Sequence, residues 1–339
     1  MNDTQISPRQ QLIIDLLTTS PLSRPEIEQS LGSFSRITII RDLNYLLDKK
    51  IISKIGVGKS TQYLHSPTHP LLRTPITRNP AIDIPFNPAV IGKLHDIFSP
   101  LEKSNLQKSH KDLAFAQKTL SLTSFKQELE RFTIELAWKS SSIEGNTYTL
   151  LETEALLKNL QEASGKTKSE TQMILNHKTA LDYIVSTPPT KNQLTLNYIL
   201  KVHTLLTARL NVSLSLRSRP VGITGSTYQP PKKLAIIKES LQQTTNMLNK
   251  LKDPLEKALV SVAMISYIQP FEDGNKRTAR LIGNAILLSH NYYPISYRAV
   301  NEIDYKLALL YFYEQNTLLP FKKIFLEQYE YSLTHYFQT

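Results

Sequence analysis

The sequence contains no cysteine, which excludes a disulfide framework, a thiolate nucleophile and a zinc site with cysteine ligands. Glycine is scarce, with 10 residues in 339, and long stretches carry helical spacing, so a mostly helical protein is expected. No apolar run approaches the roughly 18 residues of a membrane-spanning helix. The first residues are polar, unlike a signal peptide. These absences predict a cytoplasmic protein that does not associate with membranes.

The charge balance favours an anionic partner. Lysine and arginine exceed the acidic residues, giving a net charge of +11, and such an excess suits DNA or phosphate-bearing ligands. A generically basic protein has the same balance, so motifs must decide between the two. The 8 histidines are scattered without metal-ligand spacing, which disfavours a transition-metal site.

Residues 1–65 predict three short helices and a β-hairpin, the order of a winged helix-turn-helix domain. Ser23-Arg-Pro-Glu26 combines a capping residue, an early proline and a capping-box glutamate at the start of the second helix. Ser35 begins the third helix. Two extended runs, 51–55 and 61–64, flank glycines and Lys59, which indicates a hairpin with a basic tip.

The third helix would read DNA, because that helix enters the major groove in such domains. We expect its apolar residues Ile37, Ile40, Leu43, Leu46 and Leu47 to face inward. The expected DNA-facing positions are Ser35, Arg36, Thr38, Ile39, Arg41 and Asn44, with Lys54 and Lys59 beside the backbone. Winged helices also serve as docking or dimerisation modules, and that alternative remains open.

Residues 66–88 contain six prolines, which block both helices and strand ladders, so this segment is expected to be an extended linker. Helical patterns dominate residues 89–339, including 89–98, 106–119, 124–142 and 275–289. The exception is Val221–Tyr228, a β-branched run interrupted by glycines that predicts an irregular hairpin.

The most informative stretch is Gln269-Pro-Phe-Glu-Asp-Gly-Asn-Lys-Arg-Thr-Ala-Arg280, which joins two apolar helices. It delivers Gly274 and Asn275 to a helix N-terminus, where free N–H groups bind anions. Lys276, Arg277 and Arg280 crowd the first turns of that helix, although cations there oppose the helix dipole by roughly 0.3–1 kcal/mol each. A bound polyphosphate would explain them, and Asp273 would supply an oxygen ligand for Mg²⁺.

This string resembles the motif of the Fic family, and its Asn-Lys-Arg-Thr-Ala part is similar to the related Doc toxins. The resemblance covers residues 90–339 and implies an all-helical core with a small β-hairpin flap. Most Fic enzymes transfer AMP from ATP to a Ser, Thr or Tyr hydroxyl of a protein. The resemblance implies these roles: Phe271 anchors the loop, Asp273 holds Mg²⁺, Gly274 and Asn275 cradle phosphates, and Arg277 and Arg280 grip the β- and γ-phosphates.

Gln269 departs from the family motif, which begins with a histidine that acts as general base. The glutamine amide can hydrogen-bond a hydroxyl but cannot accept its proton near neutral pH. Loss of a general base typically costs about 10²–10⁴-fold in rate. We therefore expect ATP binding to survive and AMP transfer to be impaired.

Two other segments resemble parts of Fic proteins. Ser140 and Glu144, in a helix near residues 124–146, are similar to the autoinhibitory motif, in which the glutamate pairs with the last arginine, here Arg280. Val221–Tyr228 resembles the flap that aligns a target segment, with Gly225 and Tyr228 on the nucleotide side. A buried structural role is expected for His203.

Three hypotheses follow. The first is a Fic-fold ATP-binding protein, inhibited by Glu144 and impaired by Gln269, whose N-terminal domain links nucleotide state to DNA. The second is a slow but working AMP-transferase in which Gln269 orients the hydroxyl. The third is a DNA-binding regulator that uses the Fic domain only as a scaffold for a homodimer.

Overall fold

The computed structural model describes residues 7–19, 21–48, 51–66, 70–73 and 82–338. The chain divides into two compact units, Met1–Pro75 and Ile76–Thr339. Most described residues are helical, as predicted, and none of their helices is long and apolar enough to cross a membrane. Much of the predicted linker, 67–69 and 74–81, falls outside the described residues.

The first unit contains three helices and a small antiparallel sheet. Its elements are α1 Pro8–Thr19, β1 Leu22–Ser23, α2 Arg24–Ser30, α3 Arg36–Asp48, β2 Ile52–Ile55 and β3 Gln62–His65. The predicted hairpin is present as β2 and β3, and the strand order is β1-β3-β2. The sequence did not predict β1, because two residues are too few to show an alternating pattern.

The buried face of α3 differs from the predicted one. Ile39 is fully buried, together with Leu43 and Leu46, whereas Ile37 is 72% exposed. The expectations that Ile37 faces inward and that Ile39 faces DNA are therefore wrong. The spacing explains the error, since positions 39, 43 and 46 form an i, i+4, i+7 stripe and Ile37 lies about 200° from Ile39 around the helix.

The second unit is built from helices with one two-stranded sheet. Its elements are β4 Ile84–Pro85, α4 Pro100–Ser109, α5 Leu113–Thr119, α6 Leu122–Ser142, α7 Leu150–Asn159, α8 Lys168–Ser186, α9 Leu196–Thr207, β5 Tyr228–Gln229, α10 Leu234–Lys250, α11 Pro254–Ile268, α12 Asn275–Ser289, α13 Glu302–Gln315 and α14 Leu319–His335. The predicted helix at 106–119 is two helices, because Asp112 caps a new start by accepting from Phe115 N. A 3₁₀ helix, Pro88–Lys93, replaces most of the one predicted at 89–98.

Helix α11 forms the centre of this unit, with its residues from Leu255 to Ile268 buried. It packs directly on α12 at Gly283, where a methyl group would lie 2.7 Å from Val262 Cγ2. The absence of a side chain at Gly283 therefore allows the two helices to approach closely. This contact fixes both ends of the loop between them, residues 269–274.

The small sheet differs in its pairing from the predicted hairpin. Strand β5 pairs in parallel with β4, matching Tyr228 to Ile84 and Gln229 to Pro85. Within Val221–Tyr228 the described backbone has a turn, closed by Ser226 N donating to Ile223 O at 3.2 Å. Local sequence patterns identify neighbouring partners, and here the partner strand is far away in the chain.

Candidate nucleotide-binding site

The loop between α11 and α12 adopts a conformation that depends on glycine. Gln269 ends α11 with a left-handed φ of 49°, and Gly274 precedes α12 with φ 78°. A methyl group on Gly274 would lie 3.1 Å from Thr207 Cγ2 and 3.6 Å from His203 Cδ2. Positive φ and close neighbours together explain why glycine occupies position 274.

Three side chains hold this loop from inside. Asn275 Oδ1 accepts from Phe271 N at 2.8 Å, and Asn275 Nδ2 donates to Phe271 O at 2.9 Å. The buried Phe271 ring stacks on His203 at 3.6 Å, and His203 Nε2 donates to Asp273 O at 3.0 Å. Burial lowers the pKa of His203 to about 4, so the ring is neutral. His203 is structural, as expected, and both polar atoms of the Asn275 side chain bond the main chain of Phe271.

Arg277 carries donors that the protein leaves unpaired. Its side chain is 2% exposed and Nη2 contacts Asp273 Oδ2 at 3.0 Å. Nε and Nη1 are buried and have no hydrogen-bond partner among the described residues. Burial lowers the pKa of Arg277. Unpaired buried donors are costly, so a ligand with several acceptor oxygens fits this position.

The N-terminus of α12 adds main-chain donors beside Arg277. The first hydrogen bond of the helix runs from Thr278 N to Gly274 O at 2.9 Å. The N–H groups of residues 275–277 therefore lie ahead of the helical ladder and face outward along the dipole. Together with Arg277 they make an anion-binding position.

Glu144 and Arg280, predicted to pair, are in contact. Arg280 is fully buried, with Nη1 3.0 Å from Glu144 Oε1, and it donates to Ser140 Oγ at 2.8 Å and to Ser140 O at 2.7 Å. Glu144 Oε2 lies 3.6 Å from Lys276 Nζ. Burial alone would raise the pKa of Glu144, but Arg280 and Lys276 outweigh burial and lower it. The carboxylate is therefore ionised and occupies one face of Arg280.

The cleft at this loop is open to solvent and has a volume of about 160 Å³. The predicted site residues that line it are Glu144, Gln269, Asp273, Gly274, Asn275, Lys276 and Arg277. Arg280 and Ser140 lie behind Glu144. Val221 and Gly222 of the flap-like segment and Glu272 of the loop also line the cleft, although no individual role was predicted for them.

Two flap residues are not where the sequence analysis put them. Tyr228 is fully buried, and its hydroxyl donates to Tyr267 O at 2.8 Å. The expectation that Tyr228 lines the nucleotide side is therefore wrong, because its phenol completes the aromatic core. Gly225 lies in the turn of this segment with φ 79° and does not line the cleft. Val221 and Gly222 take that place.

Gln269 is 7% exposed and turns back onto its own helix. Its Nε2 donates to Ser266 O at 2.7 Å. Its main-chain oxygen accepts from Arg217 Nε at 2.6 Å. The amide borders the cleft without offering a proton acceptor of useful basicity.

Asp273 suits a magnesium ion that a nucleotide brings with it. Its carboxylate is 63% exposed at the mouth of the cleft. The described part of the chain has no group of three or more histidine, aspartate or glutamate residues placed to hold a metal by themselves. Mg²⁺ commonly binds through one or two carboxylates plus substrate phosphates, and Asp273 fits that pattern.

The part of the chain that includes the cleft loop is similar to known proteins. Residues 193–287, which include α11 and the loop, match the Fic/DOC family model. Relatives named protein adenylyltransferase Fic include one from Nematostella vectensis, 32% identical over 177 residues (50% of this chain and 40% of that protein). One from Aedes aegypti is 30% identical over 166 residues (48% and 33%). The matched region is thus less than half of each relative.

Solved structures share the fold of the second unit. Fic-1 (aa134–508) from C. elegans has a TM-score of 0.59 at 22% identity, covering 70% of this chain and 71% of that one. A Fic domain containing signaling protein from Bacteroides thetaiotaomicron has a TM-score of 0.56 at 21% identity, covering 68% and 94%. The predicted, mostly helical Fic fold is confirmed.

Proposed function

We propose that the chain binds MgATP in the cleft at the N-terminus of α12, in a Fic domain held inactive by Glu144. The observation that carries this proposal is Arg277, whose Nε and Nη1 are buried and unpaired beside the first turn of α12. A triphosphate would satisfy these donors together with the N–H groups of residues 275–277. Asp273 would hold Mg²⁺, which neutralises phosphate charge when bound.

Glu144 would inhibit transfer because it already occupies the Arg280 guanidinium that a γ-phosphate would need. A γ-phosphate could pair with Arg280 only if the carboxylate 3.0 Å from its Nη1 moved away. Two anions on one buried guanidinium would also repel each other. Glu144 therefore competes with the phosphate end of the nucleotide.

AMP transfer from ATP to a protein hydroxyl, with pyrophosphate as the leaving group, is the reaction class we propose, because the adenylyltransferase relatives are similar over this region. Gln269 limits the reaction, since its amide cannot take the hydroxyl proton. Positioning and charge stabilisation contribute strongly to phosphoryl-type transfer. A slow reaction with Gln269 orienting the hydroxyl is therefore the second form of this proposal.

Self-modification with MgATP, read by intact mass, tests the proposal. Three proteins are compared: the natural chain, Glu144→Gly, and Glu144→Gly with Gln269→His. We expect an AMP adduct in the double variant. An adduct on Glu144→Gly alone would show that Gln269 supports catalysis, and the same reaction with Arg277→Ala in the double variant is the negative control.

MgATP binding to the natural chain separates these proposals from a scaffold role. Calorimetric titration should give one site, weaker than in Glu144→Gly. If neither protein binds MgATP at millimolar nucleotide and neither forms an adduct, the nucleotide proposal fails and the homodimer scaffold becomes the better account.

We also propose that the first unit is a winged helix-turn-helix that binds DNA. The supporting observation is the outward face of α3, where Arg36, Arg41 and Asn44 are exposed beside Ser35. Arginine and asparagine are suited to guanine and adenine edges. Thr38 is half-buried, with its hydroxyl 2.8 Å from Ser35 Oγ, and the side chain of Lys59 lies outside the described residues.

The DNA proposal predicts salt-dependent binding that depends on α3. Selection from random duplexes at low salt should enrich a site, and Arg41→Ala with Asn44→Ala should weaken that binding at least tenfold. Glu327→Gln in the second unit is the control. No binding of the natural protein at low salt would exclude this function.

A further inference from the structure

Arg217 is a buried arginine that the sequence analysis did not select. It is 1% exposed, and burial lowers the pKa of its guanidinium. Its described partners are main-chain carbonyl oxygens and not carboxylates. A buried cation is retained only where its donors are well satisfied, so its position requires an explanation.

The partners of Arg217 come from three separate places in the chain. Nε donates to Gln269 O at 2.6 Å, Nη1 to Arg219 O at 2.9 Å, and Nη2 to Pro231 O at 2.7 Å. The Arg217 main-chain N–H adds a bond to Pro270 O at 3.0 Å. One planar guanidinium thus joins the start of the loop to both ends of the segment 219–231.

That segment supplies one wall of the cleft. Val221 and Gly222 line the cleft opposite the loop that carries Gln269. Main-chain bonds to the strand at 84–86 hold only the end of the segment, where Ile84 N donates to Thr227 O at 3.1 Å and Phe86 N donates to Gln229 O at 3.0 Å. Ser226 Oγ and the Tyr228 hydroxyl tie the later part of the segment to Glu314 and to Tyr267 O. Arg217 is the side chain that bonds directly to residue 269 and to both ends of the segment that contains the wall at 221–222.

The phosphate end of the cleft is supported differently. Asn275 and His203 hold Phe271 and Asp273 in place, and neither contacts Arg217. Loosening the Arg217 contacts should therefore move residue 269 and the wall while leaving the first turn of α12 in place.

We propose that Arg217 is a positioning residue for the transfer step, setting residue 269 against the wall formed by Val221 and Gly222, where a target segment would lie. This inference rests on the proposed function, because it assigns the wall to the acceptor side of the reaction. The contacts themselves do not depend on that assignment, so two experiments separate the claims.

The first experiment measures hydrogen–deuterium exchange of the 339-residue chain. In Arg217→Lys, amide exchange should accelerate at least tenfold in peptides that cover 219–229 and in peptides that cover Gln269. It should stay unchanged in α12 from Thr278 onward. Arg219→Lys is the matched control, since Arg219 contributes only its carbonyl oxygen. Acceleration in one segment only, or in all segments alike, would overturn the proposal.

The second experiment uses Glu144→Gly with Gln269→His as the parent. Adding Arg217→Lys should lower kcat for AMP transfer at least tenfold and leave the Kd for MgATP within twofold. A purely structural role would reduce binding and kcat together, in proportion to the folded fraction, and that result would contradict us. If Arg217→Lys does not fold, Arg217→Gln, which keeps one donor group, replaces it in both experiments.

A parent that transfers no AMP would count against the proposed function and not against the Arg217 contacts. The exchange experiment would still decide those. If amide exchange accelerates in both segments although no AMP is transferred, Arg217 still links the loop to the wall. If exchange does not accelerate, Arg217 is not that link, whatever the activity.

Discussion

Five charged side chains determine the character of the cleft. Glu144 faces Arg280 at 3.0 Å and Lys276 at 3.6 Å, while Arg277 contacts Asp273 at 3.0 Å. In each pair a cation of α12 is matched by a carboxylate from elsewhere in the site. A nucleotide would enter by replacing Glu144 and by using the donors that Arg277 still has unpaired.

Arg277→Lys should weaken MgATP binding about tenfold to a hundredfold. Lysine keeps the charge but loses the planar guanidinium that can donate several hydrogen bonds to a phosphate. Each hydrogen bond to a charged group contributes roughly 1.5–3 kcal/mol. Isothermal titration measures the Kd, and Arg131→Lys, on α6 with 42% of its side chain exposed, is the control. Equal affinity in Arg277→Lys and the natural protein would place the phosphates elsewhere.

The candidate site could be predicted where its residues lie on one short stretch of the sequence. The motif identified Gly274, Arg277 and Arg280, and a second short motif identified Glu144, because each depends on residues close together in sequence. Arg217 and Tyr228 could not be assigned from the sequence. Arg217 acts through main-chain oxygens of distant residues, and Tyr228 is buried by packing against Tyr267, which local patterns do not encode.

At the scale of elements, the turn after α6 is fastened to α8 by one carboxylate. Glu170 accepts from Thr147 N at 2.9 Å and Thr147 Oγ1 at 2.6 Å, and also from Thr167 N at 2.9 Å. These bonds lower the pKa of Glu170 to about 2. The turn holding Glu144 is thereby linked to a helix start.

Glu170 should therefore contribute to acid sensitivity. A carboxyl whose folded-state pKa is depressed stabilises the protein above its unfolded pKa and loses that effect as pH falls from about 4.5 towards 2. Glu170→Gln should lower Tm at pH 7 and flatten the decline of Tm on the acid side. Glu327→Gln, an exposed i,i+4 partner of Lys323, should change neither, and an unchanged acid slope in Glu170→Gln would contradict the assignment.

The contact between α11 and α12 leaves no room for a methyl group at position 283. In Gly283→Ala the new Cβ would lie 2.7 Å from Val262 Cγ2, and overpacking a core typically costs about 1–3 kcal/mol. Alanine recovers about 1 kcal/mol of helix propensity. Since Val262 is buried and β-branched, strain should exceed the gain, lowering Tm by roughly 2–4 °C.

A double-mutant cycle tests whether the strain in Gly283→Ala comes from contact with Val262. Val262→Ala alone should destabilise by leaving a cavity. Adding Gly283→Ala to it should cost less than in the natural protein, because the new methyl enters that cavity. Additive losses would show that the strain arises elsewhere.

At the scale of the whole molecule, the chain contains two compact units with separate cores. Their element types follow from helical periodicity and capping residues, which is why most helices were predicted. The buried face of a helix and the partner of a strand were less predictable, as the exposed Ile37 and the pairing of β4 with β5 show. Both depend on which surfaces meet after the local elements have formed.

Two units with separate cores should respond separately to their ligands. Calorimetry of the 339-residue chain should resolve two unfolding transitions, and MgATP should raise only the melting temperature of the larger unit. Binding at a hundred times Kd adds about 2.7 kcal/mol, which for a domain of this size corresponds to roughly 5–10 °C. A duplex selected for binding should raise only the other transition, because ligand linkage acts on the unit that binds.

Arg277→Ala should abolish the MgATP shift and leave the DNA shift intact. A single transition raised by either ligand would instead mean that the two units unfold as one cooperative body, and nucleotide and DNA binding would then be coupled through stability.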